Sequence, residues 1–429
     1  MKALRVGLCG VGNVGGAVLK LLKESSSLLE RQGGFSFELV QVGARKGRSV
    51  VPYDDIDVTT DLMEVANNPE VDIFIELIGG TEFADELVQT AIRNGKQIVT
   101  ANKALLAIKG DEIFQLAKQN NVQIGFEASV AGGTPVIKAL REGLVANKVE
   151  WFAGILNGTS NYILTEMSVE KTEFSLALSK AQKLGLAEAD PTMDIDGTDA
   201  AQKASILAAL AFHVPFNFEA VNYEGIDKVD VEDLKYAEEL GYNIKHIAFG
   251  RLLDNSVFVS AYPTLVPHEV ILSQVGKQMN ALEIYAHGIG STVYYGPGAG
   301  PEPTASAVVA DLVDLAKGGW QAEPARHSDN ILRSESSIKT PRYFRLMVKN
   351  EPGVIAKISA VFANQDISIE ALIQHEIKVN NGEQTDEVPV VILSGSVSDQ
   401  IVKELLNQLN DMEEVADCLK QFRIHAKIN

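Results

Sequence analysis

The sequence predicts an α/β fold: a Rossmann-type parallel sheet covered by helices on both faces, then an α+β middle, then a small C-terminal unit of strands and helices. Three observations predict it. The first 150 residues alternate short β-rich runs with amphipathic helical runs, the order that builds parallel βαβ units. A glycine triplet with GxGxxG spacing separates the first strand from the first helix. Beyond a polar stretch without period, at about residue 340, a new short β and α pattern begins.

In order, the strands of the first unit are LRVGLC, FELVQVGA, VDIFIELI, QIVTAN and VQIGFEA. Between them fall helical runs such as AVLKLLKESSSLL, ADELVQTAIRNG and DEIFQLAKQNN. The middle opens with helices (FSLALSKAQKLG, DAAQKASILAALAF) and continues as strands, FVSAYPTLV and ALEIYAHGIGSTVYYG. PTASAVVADLVDLAK reads as a helix that packs back on the first unit, its Pro303-Thr304 start following the turn GPGAG. The polar run from about 318 to 340 reads as a linker, and the remainder as a small, separate unit of order βαββαβ. The boundaries are therefore 1–133 for a nucleotide-binding domain, with helix 304–317 added, and 134–320 for the α+β middle domain. A linker over 321–340 and a C-terminal domain over 341–429 complete the chain.

Composition narrows the function. A chain of 429 residues, 46% hydrophobic, can bury cores for two or three domains. A net charge of −19 argues against general affinity for nucleic acid or anionic membranes. The two cysteines, Cys9 and Cys418, lie at opposite ends without CxxC or CxxH spacing. They read as thiols in a reducing compartment, not as a disulfide framework or zinc site. No run approaches the roughly 18 apolar residues of a membrane span. The best, ASILAALAF, meets His213 and Pro215, and MKALRVGLCGVGNVGG suits a first strand better than a signal peptide. A cytoplasmic protein is expected.

The chemistry-bearing residues come in five groups. Gly10-Val11-Gly12-Asn13-Val14-Gly15 follows a strand and opens a helix, the context in which such glycines admit a pyrophosphate to the helix N-terminus. Where the second strand ends, Ala44-Arg45-Lys46 replaces the usual ribose-binding acid; two cations there fit a 2′-phosphate, so NADP(H) is preferred and NAD(H) stays open. Thr100 and Lys103 end the strand QIVTAN, where ligands of open α/β sheets sit. Glu127 to Pro135, EASVAGGTP, combines one carboxylate with a glycine-rich backbone. That set suits a hard, weakly charged cation such as sodium, and a glycine-rich helix start would look the same.

The fifth group is EADPTMDIDGTDAAQK, residues 188–203, with five carboxylates and one lysine. As an EF-hand loop it places Asp194, Asp196 and Gly197 correctly, but the first position is Thr192 and the twelfth is Lys203, so calcium fails. A helix beginning near Thr198 puts Asp199 and Lys203 four apart on one face. A surface ion pair is one reading. The apolar run that follows favours the other, a lysine held by carboxylates and facing a cleft, able to protonate a carbonyl oxygen.

With these residues on view, the chain resembles homoserine dehydrogenases of the monofunctional type with a C-terminal ACT domain. The resemblance spans essentially the whole chain and rests on GVGNVG, TANKALLA, EASVAGGTPVI, ILNGTSNYIL, GLAEADPTMDIDGTDAAQK and GPGAGPEPTASAVVADL in that order. It implies reduction of L-aspartate 4-semialdehyde to L-homoserine with a nicotinamide cofactor. Lys203 would donate the proton and Lys103 would sit beside cofactor and substrate. Glu188, Asp194, Asp199 and Thr159 would hold the amino acid. Sodium would be held by Glu127 and the carbonyls of Val130, Gly132 and Thr134, and Gly185 and Gly300 would approach the cofactor. In the ACT domain, Asn350, Gly353, Val354 and Ile367 would bind an effector, threonine by the logic of the pathway, with paired domains giving a homodimer or homotetramer. Two other classes are weighed against this. An ACT-bearing 2-hydroxy-acid dehydrogenase would need a His–Glu or His–Asp pair, which the seven histidines do not supply in a matching motif. A non-catalytic dinucleotide sensor would have no use for Lys203.

Overall fold

The computed structural model describes residues 3–45, 56–319, 328–333, 338–375 and 386–425. Strands β1 (Ala3–Cys9), β2 (Ser36–Gly43), β3 (Asp57–Thr59), β4 (Ile73–Glu76), β5 (Gln97–Thr100) and β6 (Ile124–Gly125) form a parallel sheet in the order β3-β2-β1-β4-β5-β6. Alternation along the strands splits the core between the two faces. Val6, Leu8, Ile73, Ile75 and Val99 meet Val18 and Leu19 of the helix Asn13–Glu24 and Ala305, Val308 and Leu312 of the helix Pro301–Ala316. Cys9, Phe74 and Ile98 face Leu87, Val88, Leu105 and Leu106 instead. The helix Pro301–Ala316 begins two residues before the sequence reading, because prolines are tolerated in a first turn whose amides need no partner. The fifth sequence-read strand shrinks to Ile124–Gly125, since Ser129 bonds back to the Phe126 carbonyl through its amide (3.0 Å) and its hydroxyl (2.6 Å).

Strand order reverses between β1 and β4, which opens a crevice beyond their carboxyl ends.

The second sheet holds β7 (Val149–Ile155), β8 (Asn222–Tyr223), β9 (Tyr242–Leu253), β10 (Ser256–Pro267), β11 (Met279–Ala286), β12 (Gly290–Pro297) and β13 (Ile331–Arg333). It continues through β14 (Thr340–Lys349), β15 (Ile369–Gln374), β16 (Glu387–Val397) and β17 (Val415–Ile424), in the order β12-β11-β7-β9-β10-β17-β14-β16-β15, with β8 and β13 paired to β10. Against it lies the helix Thr198–Phe212, buried from Asp199 to Phe212. A helix apolar all round belongs inside a core, and this one packs between the two sheets' domains.

Two features depart from the sequence reading. The C-terminal unit has the expected βαββαβ order, but it is not separate: Thr264 and Leu265 of β10 pair with Arg423 and Ile424 of β17. Tyr343, Leu393, Phe422 and Ile424 share one core with Ile163, Leu164 and Leu265. Part of the supposed linker is also a strand, β13, docked along Ser256–Phe258, with the Asn330 side-chain amide donating to the Phe212 carbonyl at 2.8 Å. Three residues carry too little pattern to reveal a strand from sequence.

Candidate active site

The glycine loop closes the crevice on one side. Gly10 has φ +103°, and a Cβ there would lie 2.5 Å from the Leu77 carbonyl oxygen. At Gly15 a Cβ would collide with the Gly10 carbonyl, so the helix can press close to its strand only with glycine. Gly12 faces open space and caps the helix Asn13–Glu24 without any side-chain bond. Its first amides are therefore open to an anion. Gly10, Val11 and Gly12 line the crevice with Gly43, Ala44 and Arg45, and Arg45 is exposed at the end of β2. These features fit a dinucleotide. Lys46 lies outside the described residues.

Deeper in, at the carboxyl end of β5, Asn102 caps the helix Lys103–Gln119 by accepting from the Leu105 amide at 3.1 Å. That cap fixes Lys103 at the helix start. Thr100 turns the other way: its hydroxyl donates to buried Glu76 (2.6 Å), which also accepts from the amides of Ile78 (2.8 Å) and Gly79 (3.1 Å). Its side chain is spent on shaping the loop 78–80.

The helix Thr198–Phe212 brings Asp199 and Lys203 onto one face, and the fold brings Lys103 to meet them. Lys203 Nζ donates to Asp199 Oδ2 and to the Leu156 carbonyl, both at 2.7 Å. Lys103 Nζ stands 3.0 Å from Asp199 Oδ1. One buried carboxylate thus bridges two ammonium groups. Burial works against its charge, but the two lysines overcome that and hold Asp199 well below the usual carboxylate range. In return, the Asp199 charge raises Lys103 above its ordinary value despite desolvation, keeping it a cation. Asp194 sits close by; burial raises it, and repulsion from Asp199 adds to that.

Asn157 organises the acids. Its side-chain amide donates to Asp194 Oδ1 (2.7 Å) and Asp199 Oδ2 (2.8 Å), while its oxygen accepts from the Ser160 amide (2.7 Å) and caps the helix Gly158–Glu170. Sequence reasoning missed it; the signal was an Asn-Gly pair opening a helical run. Lys103, Asn157, Thr159, Asp194, Asp199 and Lys203 line one crevice, with Val14 of the glycine loop at its edge. The Thr159 hydroxyl donates to the Leu186 carbonyl at 2.8 Å. Glu188 is exposed and lies beyond that lining, near enough for its charge to help raise Lys103. Gly185 and Gly300 both have positive φ, +71° and +114°, and Gly300 adjoins the lining residue Ala299.

Glu127 lies behind the crevice. Its two oxygens accept from the amides of Ile137 (2.9 Å) and Lys138 (2.8 Å), and its own amide donates to Asp311 Oδ2 at 2.8 Å. Burial pushes Glu127 up to about 7 and Asp311 well above its ordinary value. Ala131 (φ +56°) and Gly132 (φ +40°) turn the backbone sharply between Val130 and Thr134. Two adjacent buried acids beside this turn are the groups that could hold a monovalent cation, since each carboxylate oxygen keeps a further lone pair. Among the described residues no three acid, histidine or cysteine groups cluster as a transition-metal site would require.

Comparison with known proteins agrees with this geometry. A family model described as homoserine dehydrogenase matches residues 135–313, and one for the homoserine dehydrogenase NAD binding domain matches residues 10–127. An ACT domain model matches residues 342–411. Homoserine dehydrogenase of Pseudomonas aeruginosa is 41% identical over 434 residues, covering 99% of each chain, and that of Bacillus subtilis is 38% identical over 433 residues with the same coverage. The crystal structure of a homoserine dehydrogenase from Thiobacillus denitrificans aligns with TM-score 0.92 at 41% identity over 99% of both chains. A hyperthermophilic archaeal homoserine dehydrogenase in complex with NADPH aligns with TM-score 0.64 at 27% identity, covering 74% of this chain and 98% of that chain. With a nucleotide fold, a two-lysine site and an ACT domain in the matching order, the chain belongs to the homoserine dehydrogenase family of nicotinamide-dependent oxidoreductases in amino-acid biosynthesis.

Proposed function

We propose that the enzyme reduces L-aspartate 4-semialdehyde to L-homoserine with NADPH, for threonine and methionine synthesis in the cytoplasm. The observation that carries this reading is the Lys103–Asp199–Lys203 bridge at the carboxyl edge of the parallel sheet. Bound nicotinamide supplies a hydride to the aldehyde carbon. An ammonium has three N–H donors, and Lys203 commits two, to Asp199 and Leu156. The third is available to the aldehyde oxygen, where Lys203 gives up its proton as negative charge develops. Asp199 keeps both lysines in place. Lys103 holds the substrate beside the cofactor, while Asp194, Glu188 and Thr159 receive the amino acid end. Glu127 with the carbonyls of Val130, Gly132 and Thr134 would hold sodium, a charge that settles the buried acids behind the crevice. Following NADPH absorbance with and without aspartate semialdehyde tests the reading; no substrate-dependent oxidation would overturn it.

Cofactor preference rests on Arg45, exposed at the end of β2 where a ribose-binding acid would otherwise stand. A charge-assisted bond to a phosphate is worth ~1.5–3 kcal/mol. Arg45→Ala is therefore expected to raise KM for NADPH by roughly tenfold or more and to change KM for NADH little. Equal losses would show that Arg45 does not read the 2′-phosphate. Gly185 and Gly300 would close over the cofactor from the second domain.

Regulation by threonine is the remaining part of the reading. Gly353, at φ +94°, caps the helix Val354–Asn364 without a side-chain bond, so its amides suit a carboxylate; Asn350 precedes it, and Val354 and Ile367 are buried beneath. Pairing of these domains would give a dimer or tetramer. Gly353→Asp places a strained, negatively charged residue there and should remove the part of threonine inhibition that acts through this turn while dehydrogenase activity persists. A threonine titration at fixed, subsaturating substrate decides it, and an unchanged response would place the effector elsewhere.

A further inference from the structure

A second cleft lies between the last helix, Asp399–Asn410, and the β8–β10 edge of the substrate domain. Its volume, about 710 Å³, is within the range of small-molecule sites. Arg342, Arg423, Asp399, Glu224, Lys403 and Leu406 line it. Asp399 binds both arginines, Arg342 through Oδ1 and Arg423 through Oδ2, the latter at 3.0 Å. Arg423 then lies 3.4 Å from the Tyr262 ring centroid and 3.6 Å from Glu224. Arg342 is 1% exposed, and its Nε has no partner among the described residues. Burial, with the charge of Arg423 beside it, lowers its guanidinium to about 10.

Buried guanidinium donors left unspent are costly, because a guanidinium carries five N–H groups and cannot shed its charge. Two arginines and Lys403 face two carboxylates, one of which already serves both arginines. The unpartnered Nε of Arg342 and the excess of cations over carboxylates call for an anion. Glu224, with its side chain 42% exposed, stands beside them and can take a cation. Opposite charges set side by side match a zwitterion.

We propose that this cleft binds a free amino acid, its carboxylate on Arg342 and Arg423 and its ammonium on Glu224. The proposal rests on the reading that the enzyme responds to an amino acid, but it places that amino acid at the junction of the two domains, apart from the Gly353 turn. The junction is connected to the substrate acids. Glu224 accepts through its carbonyl from His246 Nε2 (2.9 Å), and the Ile226 amide donates to the Ile195 carbonyl (2.8 Å). A Cβ at Gly225 would collide with that same Ile195 carbonyl, and one at Gly197 would lie 2.8 Å from the Glu224 carbonyl. Segment 224–226 is thus wedged against residues 195–197, next to Asp194 and Asp199. An ammonium drawing Glu224 away from Arg423 shifts this wedge and is felt as a change in KM for the aldehyde.

Calorimetric titration of the full chain with L-threonine, N-acetyl-L-threonine and sodium acetate tests it. L-threonine is expected to bind, with Lys403→Glu and the cleft-filling Leu406→Trp each weakening it at least tenfold and Gly353→Asp leaving this site intact. N-acetyl-L-threonine and acetate, which lack the ammonium, bind at least tenfold more weakly than L-threonine in wild type, and Glu224→Gln narrows that difference. Binding that Gly353→Asp removes and both cleft variants keep overturns the proposal and leaves the turn reading standing. Acetate binding as tight as threonine overturns the amino-acid assignment. Absence of threonine binding to wild type overturns both readings together.

Discussion

Lys203→Ala is expected to lower kcat by roughly 10²-fold or more while leaving NADPH affinity unchanged. The geometry separates the two effects. Lys203 is 8% exposed and touches Asp199 and the Leu156 carbonyl, whereas the nucleotide crevice is lined from Gly10 to Arg45 on the other domain. Deleting its ammonium would remove the proposed proton source at the aldehyde oxygen and nothing that lines the nucleotide crevice. Nor should the variant unfold, because Asp199 keeps Lys103 and Asn157 as partners. Lys103 remains a cation in the same crevice, yet it approaches Asp199 from the nucleotide domain and has its own position to keep. It is not expected to substitute. Stopped-flow turnover with fluorescence-monitored NADPH binding would decide this, and near-normal turnover in a folded variant would remove Lys203 from its assigned role.

Much of this site is readable in the sequence because its parts are local. The strand, glycine triplet and helix of residues 3–24 are continuous in the chain, and the Asp199–Lys203 pair follows from helical spacing alone. Lys103 is legible as a residue at the end of a strand. That it shares a carboxylate with Lys203 is not, since only tertiary packing joins β5 to the helix Thr198–Phe212. Asn157 hides for a related reason: capping a helix and orienting two acids are separate jobs, and the sequence shows only the first. Asp311, buried beneath Glu127, comes from a helix that the sequence reads only as packing back on the first unit. The strand pairing that joins the C-terminal unit is two residue pairs between β10 and β17, too few to leave a pattern. Long-range pairing is where a single sequence says least.

That junction carries the second large expected effect, Arg345→Met. Arg345 belongs to β14, yet its Nε donates to Asp233 Oδ1 at 2.7 Å and its NH1 to Glu232 Oε2 at 3.2 Å, both in the substrate domain's helix Val231–Glu239. The Tyr343 hydroxyl donates to the same Asp233 oxygen at 3.1 Å. Asp233 is 0% exposed. Removing the guanidinium strands a buried carboxylate, a loss of ~3–5 kcal/mol. At roughly 2–4 °C per kcal/mol for a chain of this size, the melting temperature should fall by about 6–20 °C. The pH dependence has a defined sign. Burial already raises Asp233 above the ordinary carboxylate range, and losing Arg345 raises it further. A raised acid is stabilising while protonated and loses that contribution as pH rises through its folded value, so the deficit against wild type should be smaller at pH 5.5 than at pH 8. Asp233→Leu added to Arg345→Met should recover most of the loss, because an apolar pair of similar size leaves no charge stranded. A melting temperature that does not move, or a deficit equal at both pH values, would show that the bridge does not hold the domains together. The same bridge bears on how regulation is tested. A chain ending after Arg333 would lose Arg345 and Tyr343 together and uncover Ile163, Leu164 and Leu265, which pack on Tyr343, Phe422 and Ile424. Such a truncation is expected to fail by instability before it reports on threonine, so point changes such as Gly353→Asp and Lys403→Glu are the variants that separate an effector site from a structural joint.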